Sequence, residues 1–323
     1  MIHIRRHHTV ALHKSSVKTC ATLLQEYQNK KSTVQNPVKL SFSGVGDKDV
    51  YNITAPFRID GVTVIAGRVE SRDSEHSEIR FFVEQDGIWV PNEGAPVFTL
   101  QDPFFTFIHG ELVLGGVEIF PHPTMENALM WRTVFRKGKT LNELSLFFTG
   151  PDAMKDLRLT ELAGGEIGVF TRPQGEKGGR GKIGFTKVSS LEDVTVELVN
   201  EAPLLADQFI DAEWGGANEL HLLSNGLVGV LGHVASFDEA GERHYYPMVF
   251  ALDPQTGEFC DMELIAVRAE FLPGETKRPD LVDVVFSGGL VRHADGTADL
   301  YAGISDAEAH RITIRDPFLQ FEQ

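Results

Sequence analysis

Five apolar runs in this 323-residue sequence each gain a polar residue near their end, and those residues are of kinds that bind anions and sugars. They are Arg68 in TVIAGRVES, Glu118 in LVLGGVEIF, Arg172 in IGVFTRPQG, His233 in LVGVLGHVA and Asp306 in DLYAGISDA. Arginine grips phosphate oxygens with two prongs, histidine adds a hydrogen bond, and carboxylates accept from sugar hydroxyls. Asp102 stands out by its surroundings: in LQDPFFTFIHG it is locked before Pro103 and followed by Phe104, Phe105 and Phe107. Such a carboxylate either caps a turn, accepting from backbone N–H groups, or sits at the rim of a cavity and exchanges a proton with a ligand.

The elements that must position these residues read as strands. Helical periodicity is confined to CATLLQEYQNKK and TMENALMWRTVF; elsewhere brief Val, Ile, Leu and Phe runs alternate with Gly, Asp and Pro. Asp60-Gly61, Asp86-Gly87 and Asp295-Gly296 are hairpin signals, and LDPQTGEF supplies a tight turn at Asp253 to Gly257. The five polar strand ends are separated by 50, 54, 61 and 73 residues, room for one four-stranded sheet per interval. That recurrence predicts an all-β fold, a five-bladed β-propeller whose inner strands surround a channel; a β-sandwich is the rival. The expected organisation is an N-terminal extension over 1–36, disordered or loosely packed, and a single propeller domain over 37–323.

Charge and composition bound the partners. The net charge is −16, of which residues 1–31 contribute +5 and the remainder −21. So acidic a body argues against nucleic acid as a partner, which would need clustered Lys and Arg. No run approaches the roughly 18 apolar residues of a membrane span. Cys20 and Cys260 lie too far apart for a metal or disulfide framework, and a reducing, cytoplasmic compartment is expected. His7-His8 has no partner at ligand spacing, and no metal site or nucleophilic triad is expected. The loop QGEKGGRGKIG fails as a phosphate-binding P-loop, since five residues separate Gly175 from Gly181-Lys182 and Ile183 follows. It reads as a basic hairpin at the pocket mouth, with Lys177, Arg180 and Lys182 attracting an anion.

Four segments in order resemble the inverting β-mannoside phosphorylases, a family of five-bladed propellers. Gln101-Asp102-Pro103-Phe104 stands where that family has EDPR, and KDLRLTELAGGEIGVFTRP echoes its KDRN…RP. GLVGVLGHVASF followed by MVFALDPQTGEF resembles its GWLxxYHG and LLD, and DVVFSGGLVRHADGTADLYAGISD its closing VVFPxG…YYGxAD. The likeness runs from about Asp49 to Arg315, and DVYNI and TRPQG are closer still to an offshoot of bacterial and Leishmania β-1,2-mannosyltransferase/phosphorylases. This sequence departs from the pattern at Gln101, Phe104, Leu159 and Leu231.

The resemblance implies an inverting phosphorylase or mannosyltransferase with mannose 1-phosphate or GDP-mannose as donor and a mannose-containing oligosaccharide as acceptor. It implies no cofactor, because inorganic phosphate or the nucleotide-sugar is itself a substrate. An inverting hydrolase needs an acid and a base, whereas phosphate is already an anion and one carboxyl suffices. Asp102 would be that acid, with Phe104 and Phe105 desolvating it. Arg158, Arg172, His233 and Tyr245 would bind phosphate or diphosphate, with His244 and Tyr246 competing for the place of Tyr245. Asn52, Arg68 and Asp306 would bind sugar hydroxyls. The alternatives are a glycoside hydrolase, with Glu118 or Glu70 as second carboxylate, and a non-catalytic sugar-binding propeller.

Overall fold

The computed structural model describes residues 12–322 of the chain. The protein is mostly β. A first sheet is built from β2 (Asp49–Tyr51), β3 (Phe57–Ile59), β4 (Val62–Glu70), β5 (Ser77–Gln85) and β6 (Ile88–Pro91), after β1 (Gln35–Lys39). In its two hairpins Asp60 and Gly61 have φ of 53° and 79°, and Asp86 and Gly87 have 52° and 81°. Two successive left-handed residues give a turn whose twist matches that of the strands, which is why Asp-Gly marks these positions.

The second sheet holds β7 (Gln101–Ile108), β8 (Glu111–Pro121), β9 (Leu129–Gly138) and β10 (Ser145–Thr149), and the third holds β11 (Arg158–Glu161), β12 (Ile167–Thr171) and β13 (Gly184–Val188). Next come β14 (Trp214–Leu222), β15 (Val228–Phe237), β16 (Arg243–Leu252) and β17 (Glu263–Leu264), then β18 (Asp283–Arg292), β19 (Thr297–Ile304) and β20 (Glu308–Arg315). These two antiparallel groups share one eight-stranded sheet through a parallel pairing of β16 with β18, and β1 closes its far edge on β20. The apolar core is shared between successive groups. Val64, Ile79 and Leu114 join the first sheet to the second, and Phe135, Leu157 and Val169 the second to the third. Phe170, Phe250 and Leu300 join the third to the two later groups, and Ile53, Ile65 and Tyr301 join the last group back to the first.

Three expectations are corrected. TMENALMWRTVF is strand over Leu129–Gly138, paired along its length with β8; Trp131, Thr133, Val134 and Phe135 are strand formers, and pairing overrides the weak helical spacing. Residues 12–36 are not loosely packed. Helix α1 (Cys20–Gln28) is capped by Thr19, whose side chain accepts from Thr22 N–H, and it buries Cys20 and Leu23 in the core. Such a cap stabilises a helix by about 1 kcal/mol. The Cys20 N–H donates to the Glu213 carboxylate at 2.9 Å, and the expected boundary at residue 36 falls inside β1. His7-His8 lies outside the described residues. Finally, the apolar runs with polar ends, expected as the inner strands of the blades, are β8, β12, β15 and β19, each second in its group after β7, β11, β14 and β18. The strands with the clearest apolar runs are those paired on both sides. Among the described residues no helix is long and apolar enough to cross a membrane.

Candidate active site

One cavity of about 240 Å³ collects side chains from all four sheets and from the loop ahead of β18. Four of its residues share an unusual backbone: Asn52, Asp102, Asp156 and Asp306 have φ of 44°, 47°, 58° and 51°. Asn and Asp are the residues that tolerate the left-handed region, at a cost of about 1–3 kcal/mol when the surroundings impose it. Each sits at or beside a strand end. Asp102 is forced out of its ladder by a bulge, since Gln101 pairs with Val117 and Phe104 already with Gly115. The bulge turns the carboxyl into the cavity while the phenylalanines go elsewhere. Phe104 packs edge-on against Phe135 and Phe105 stacks on Phe57, and neither lines the cavity.

Asp102 instead has polar neighbours. Its Oδ1 accepts from Asn52 Nδ2 at 2.8 Å and from Arg68 NH1 at 3.1 Å. Arg68 is held in turn by Glu70, which accepts from Arg68 NH2 at 2.6 Å and from Tyr51 Oη at 2.6 Å, and by Ser77 Oγ at 2.9 Å. Lys277 donates to the same Glu70 at 2.5 Å. The Arg68 guanidinium holds Glu70 below the ordinary carboxylate range against the opposing effect of burial. Thus one Asp102 oxygen is fixed by two donors and Oδ2 is left for a ligand.

A second group on the cavity wall centres on Arg172. Arg172, 2% exposed, donates through Nε to the Gly215 carbonyl at 2.9 Å, and its NH1 is buried without a partner among the described residues. Arg172 lines the cavity, and a buried charged donor without a partner is costly. Asp156 lies 3.4 Å from Arg172, 3.6 Å from Arg158 and 4.0 Å from His233 Nε2. Burial alone would raise its carboxyl; the Arg172 guanidinium, with Arg158 beside it, outweighs that and holds it down. Burial pushes the His233 imidazole down to about 3, so the ring is neutral. Asn218 Oδ1, 2.8 Å from Nδ1, places the proton there and leaves Nε2 as an acceptor. Tyr245 stacks on His233 with ring centres 5.4 Å apart, and its hydroxyl accepts from Trp214 Nε1.

A family model described as protein of unknown function (DUF1861) matches residues 26–320. The chain belongs to the DUF1861 family. Its fold superposes with a TM-score of 0.85 on MPT-4, a mannose phosphorylase from Leishmania mexicana in complex with a phosphate ion, at 37% identity over 93% of each chain. MPT-1, a GDP-Man-dependent mannosyltransferase from the same organism, is 32% identical with a TM-score of 0.84, covering 93% of this chain and 95% of the other. β-1,2-Mannobiose phosphorylase from Listeria innocua, 13% identical with a TM-score of 0.60 over 91% and 95%, shares the fold. No curated protein matches the chain.

In this DUF1861 protein Asn52, Arg68, Asp102, Arg172, His233, Tyr245 and Asp306 all line the one cavity. Arg158 does not; it lies beneath, its Nε on the Asn218 carbonyl at 2.7 Å and its guanidinium 3.7 Å over the Phe104 ring. His244 and Tyr246 are both spent on Asp283, which leaves the cavity face of β16 to Tyr245. Glu118 and Glu70 do not line the cavity: Glu118 pairs with Arg132 at 2.6 Å, and Glu70 is used on Arg68. None of the basic side chains of the loop over 175–182 lines the cavity. Lys177 caps the carbonyls of Asn200 and Ala202, Lys182 lies 3.5 Å from Asp211, and Arg180 covers the Trp214 ring.

Sequence reasoning missed Glu75, Lys155, Asp156, Arg243 and Arg278, which also line the cavity. Lys155 and Asp156 open the KDLR segment, so a signal for them was present; the others lie on loops and a strand start without one. With them the cavity carries five Lys or Arg side chains against four carboxylates, in a protein of net charge −16. Among the described residues no group of three or more His, Cys, Asp or Glu is placed to hold a metal ion.

Proposed function

We propose that this protein is an inverting β-mannoside phosphorylase and mannosyltransferase, built as a five-bladed β-propeller. The carrying observation is that Asp102, with Oδ1 fixed and Oδ2 unoccupied, shares one cavity with the unpartnered Arg172 donor. The likeness to MPT-4 and MPT-1 over most of the chain supports mannosyl transfer. The propeller reading is supported by the core that links the last strand group back to the first.

In phosphorolysis a phosphate oxygen attacks the anomeric carbon from the face opposite the glycosidic oxygen. The carbon–oxygen bond to the leaving sugar breaks as Asp102 gives that oxygen its proton, directly or through a sugar hydroxyl, and α-mannose 1-phosphate results. In synthesis the ionised Asp102 takes the acceptor hydroxyl's proton while phosphate, or GDP from GDP-mannose, departs. Arg172 neutralises charge on the phosphate, His233 Nε2 accepts from a protonated phosphate or sugar hydroxyl, and Tyr245 walls the site. Arg158 acts from below, holding Asp156 and thereby Arg172. Asn52, Arg68 and Asp306 surround the sugar next to Asp102. Cys20 and Cys260, free and buried, suit a reducing cytoplasm.

Incubation with β-1,2-mannobiose with and without phosphate tests this reading. Mannose 1-phosphate should appear only with phosphate. Free mannose in both would make the protein a hydrolase, and binding without turnover a sugar-binding module.

A further inference from the structure

Four carboxylates line the cavity, and three of them are furnished with donors. Glu75 accepts from Lys277 at 3.0 Å, Asp102 accepts from Arg68 and Asn52, and Asp156 faces Arg172 at 3.4 Å. Asp306 is different: it faces the cavity with no hydrogen bond or ion pair to any described residue. Its placement is not loose. Ser305 and Asp306 form the turn between β19 and β20 with φ of 53° and 51°, and the Ser305 hydroxyl is tied to the Val282 carbonyl at 3.0 Å. Two adjacent left-handed residues, neither of them glycine, build this hairpin turn and present one carboxyl that no described residue binds.

The groups that face Asp306 explain how it can be left so. Tyr51 and Arg68 approach from the first sheet, Asp102 from the second, Lys155 from the segment before β11, and Lys277 and Arg278 from the loop before β18. Burial raises the Asp306 carboxyl and the Asp102 charge adds to it, against the pull of Arg68, Lys277 and Lys155. An ionised Asp306 beside ionised Asp102 would also repel the phosphate that the proposed reaction needs.

We propose that Asp306 meets the substrate as a neutral carboxylic acid, donating a hydrogen bond to a sugar hydroxyl oxygen, while Asp102 alone carries the charge that changes during the reaction. This rests on the mannoside reading for the identity of the ligand, and it goes beyond that reading by assigning the protonation state. It predicts that sugar affinity falls as pH rises, because the ionised form can no longer donate.

Two measurements test it. In protein labelled with ¹³C at aspartate carboxyls, one resonance should titrate above the ordinary range near pH 4 and vanish in Asp306→Asn. Its titration at or below that range would overturn the proposal, whatever the substrate. Calorimetry with β-1,2-mannobiose gives the second. Wild-type affinity should drop by up to about tenfold per pH unit once Asp306 ionises. Asp306→Asn, whose amide can donate and whose backbone tolerates the left-handed region, should lose that dependence and keep at least tenfold more affinity than Asp306→Ala. Equal losses in both variants, or affinity independent of pH in the wild type, would show Asp306 to be an ionised acceptor. If the wild type binds no mannoside, the functional reading fails and the carboxyl titration still decides the protonation state.

Discussion

Asn52 donates from Nδ2 to Oδ1 of Asp102 at 2.8 Å, across 50 residues of sequence and between two sheets, with both residues in the left-handed region. Neither is placed by its own strand alone. Asn52 is seated against Gly303 of β19, where an added Cβ would lie 2.0 Å from Asn52 Oδ1 and 2.7 Å from its backbone nitrogen. The orientation of Asp102 thus depends on a glycine in the last strand group, two contacts away.

Gly303→Ala should therefore impair turnover without touching the substrate. The methyl group must displace Asn52, which frees one of the two donors on Asp102. We expect kcat to fall more than tenfold, with the KM for phosphate changed less than threefold, because Arg172 follows β12 of the third sheet and His233 stands on β15, in another strand group. Circular dichroism and thermal unfolding check that the protein remains folded. An unchanged kcat in a folded variant would mean that Asn52 does not orient Asp102.

Asp102→Asn removes the proposed acid while keeping shape and both donors in contact with an oxygen. Loss of a positioned acid costs about 10²–10⁴ in rate. Phosphorolysis and synthesis should fall together, since one carboxyl serves both directions. Substrates with an activated leaving group, which need no proton, should recover much of the rate in the phosphorolytic direction. Near-normal turnover of an unactivated mannoside would remove Asp102 from the mechanism.

Arg172→Ala should weaken phosphate more than sugar. A hydrogen bond to a charged group contributes about 1.5–3 kcal/mol, so the KM for phosphate should rise on the order of 10- to 100-fold. The substitution also leaves buried Asp156 with fewer cations, and Arg172→Lys keeps the charge while losing the two-pronged geometry. Steady-state kinetics varying phosphate and mannobiose separately give the answer. An equal loss for both substrates in each variant would place Arg172 outside the phosphate site.

The residues on strands and the residues on turns differed in how well they could be read from sequence. Arg68 and His233 end or interrupt apolar runs paired on both sides, so a polar residue there has no reason to be buried except a partner or a ligand. Asp306 and Asp102 were legible because Asp at a turn or before Pro is visible, although neither type reveals whether it faces a cavity. Arg158 looked like Arg172, each an Arg beside an apolar run. Only packing separates them: one covers Phe104 and binds carbonyls, the other keeps a free donor. Arg243 and Arg278 are set by the path of loops between sheets, which local pattern does not encode. The Leu129–Gly138 strand was misread because its pairing with β8, not its own periodicity, decides it. The basic hairpin misled for a related reason: Lys177 completes carbonyls at the end of the short helix at Val196–Glu201, a long-range contact invisible in a run of charges.

The last prediction concerns acid. The His233 imidazole is held down to about 3 by burial, from an ordinary value of 6.5. Between those two values the unfolded chain binds a proton that the folded protein refuses, so stability falls as pH drops from about 6.5 towards 3. Asp156, lowered by Arg172, acts in the same direction at lower pH, where the unfolded carboxyl is protonated first. Each fully refused proton costs about 1.4 kcal/mol per pH unit. His310, also buried and lowered, adds a parallel loss, so the wild-type slope does not isolate His233. The variant does: His233→Gln keeps a polar side chain near Asn218 and has no proton to refuse. Urea midpoints at pH 7, 6, 5 and 4 should converge, the variant being less stable at pH 7 and closing on the wild type as pH falls. Parallel curves would mean that the folded protein protonates His233 as readily as the unfolded chain does. The imidazole would then carry a positive charge in the cavity at acidic pH, and its part in binding would be that of a cation instead of an acceptor.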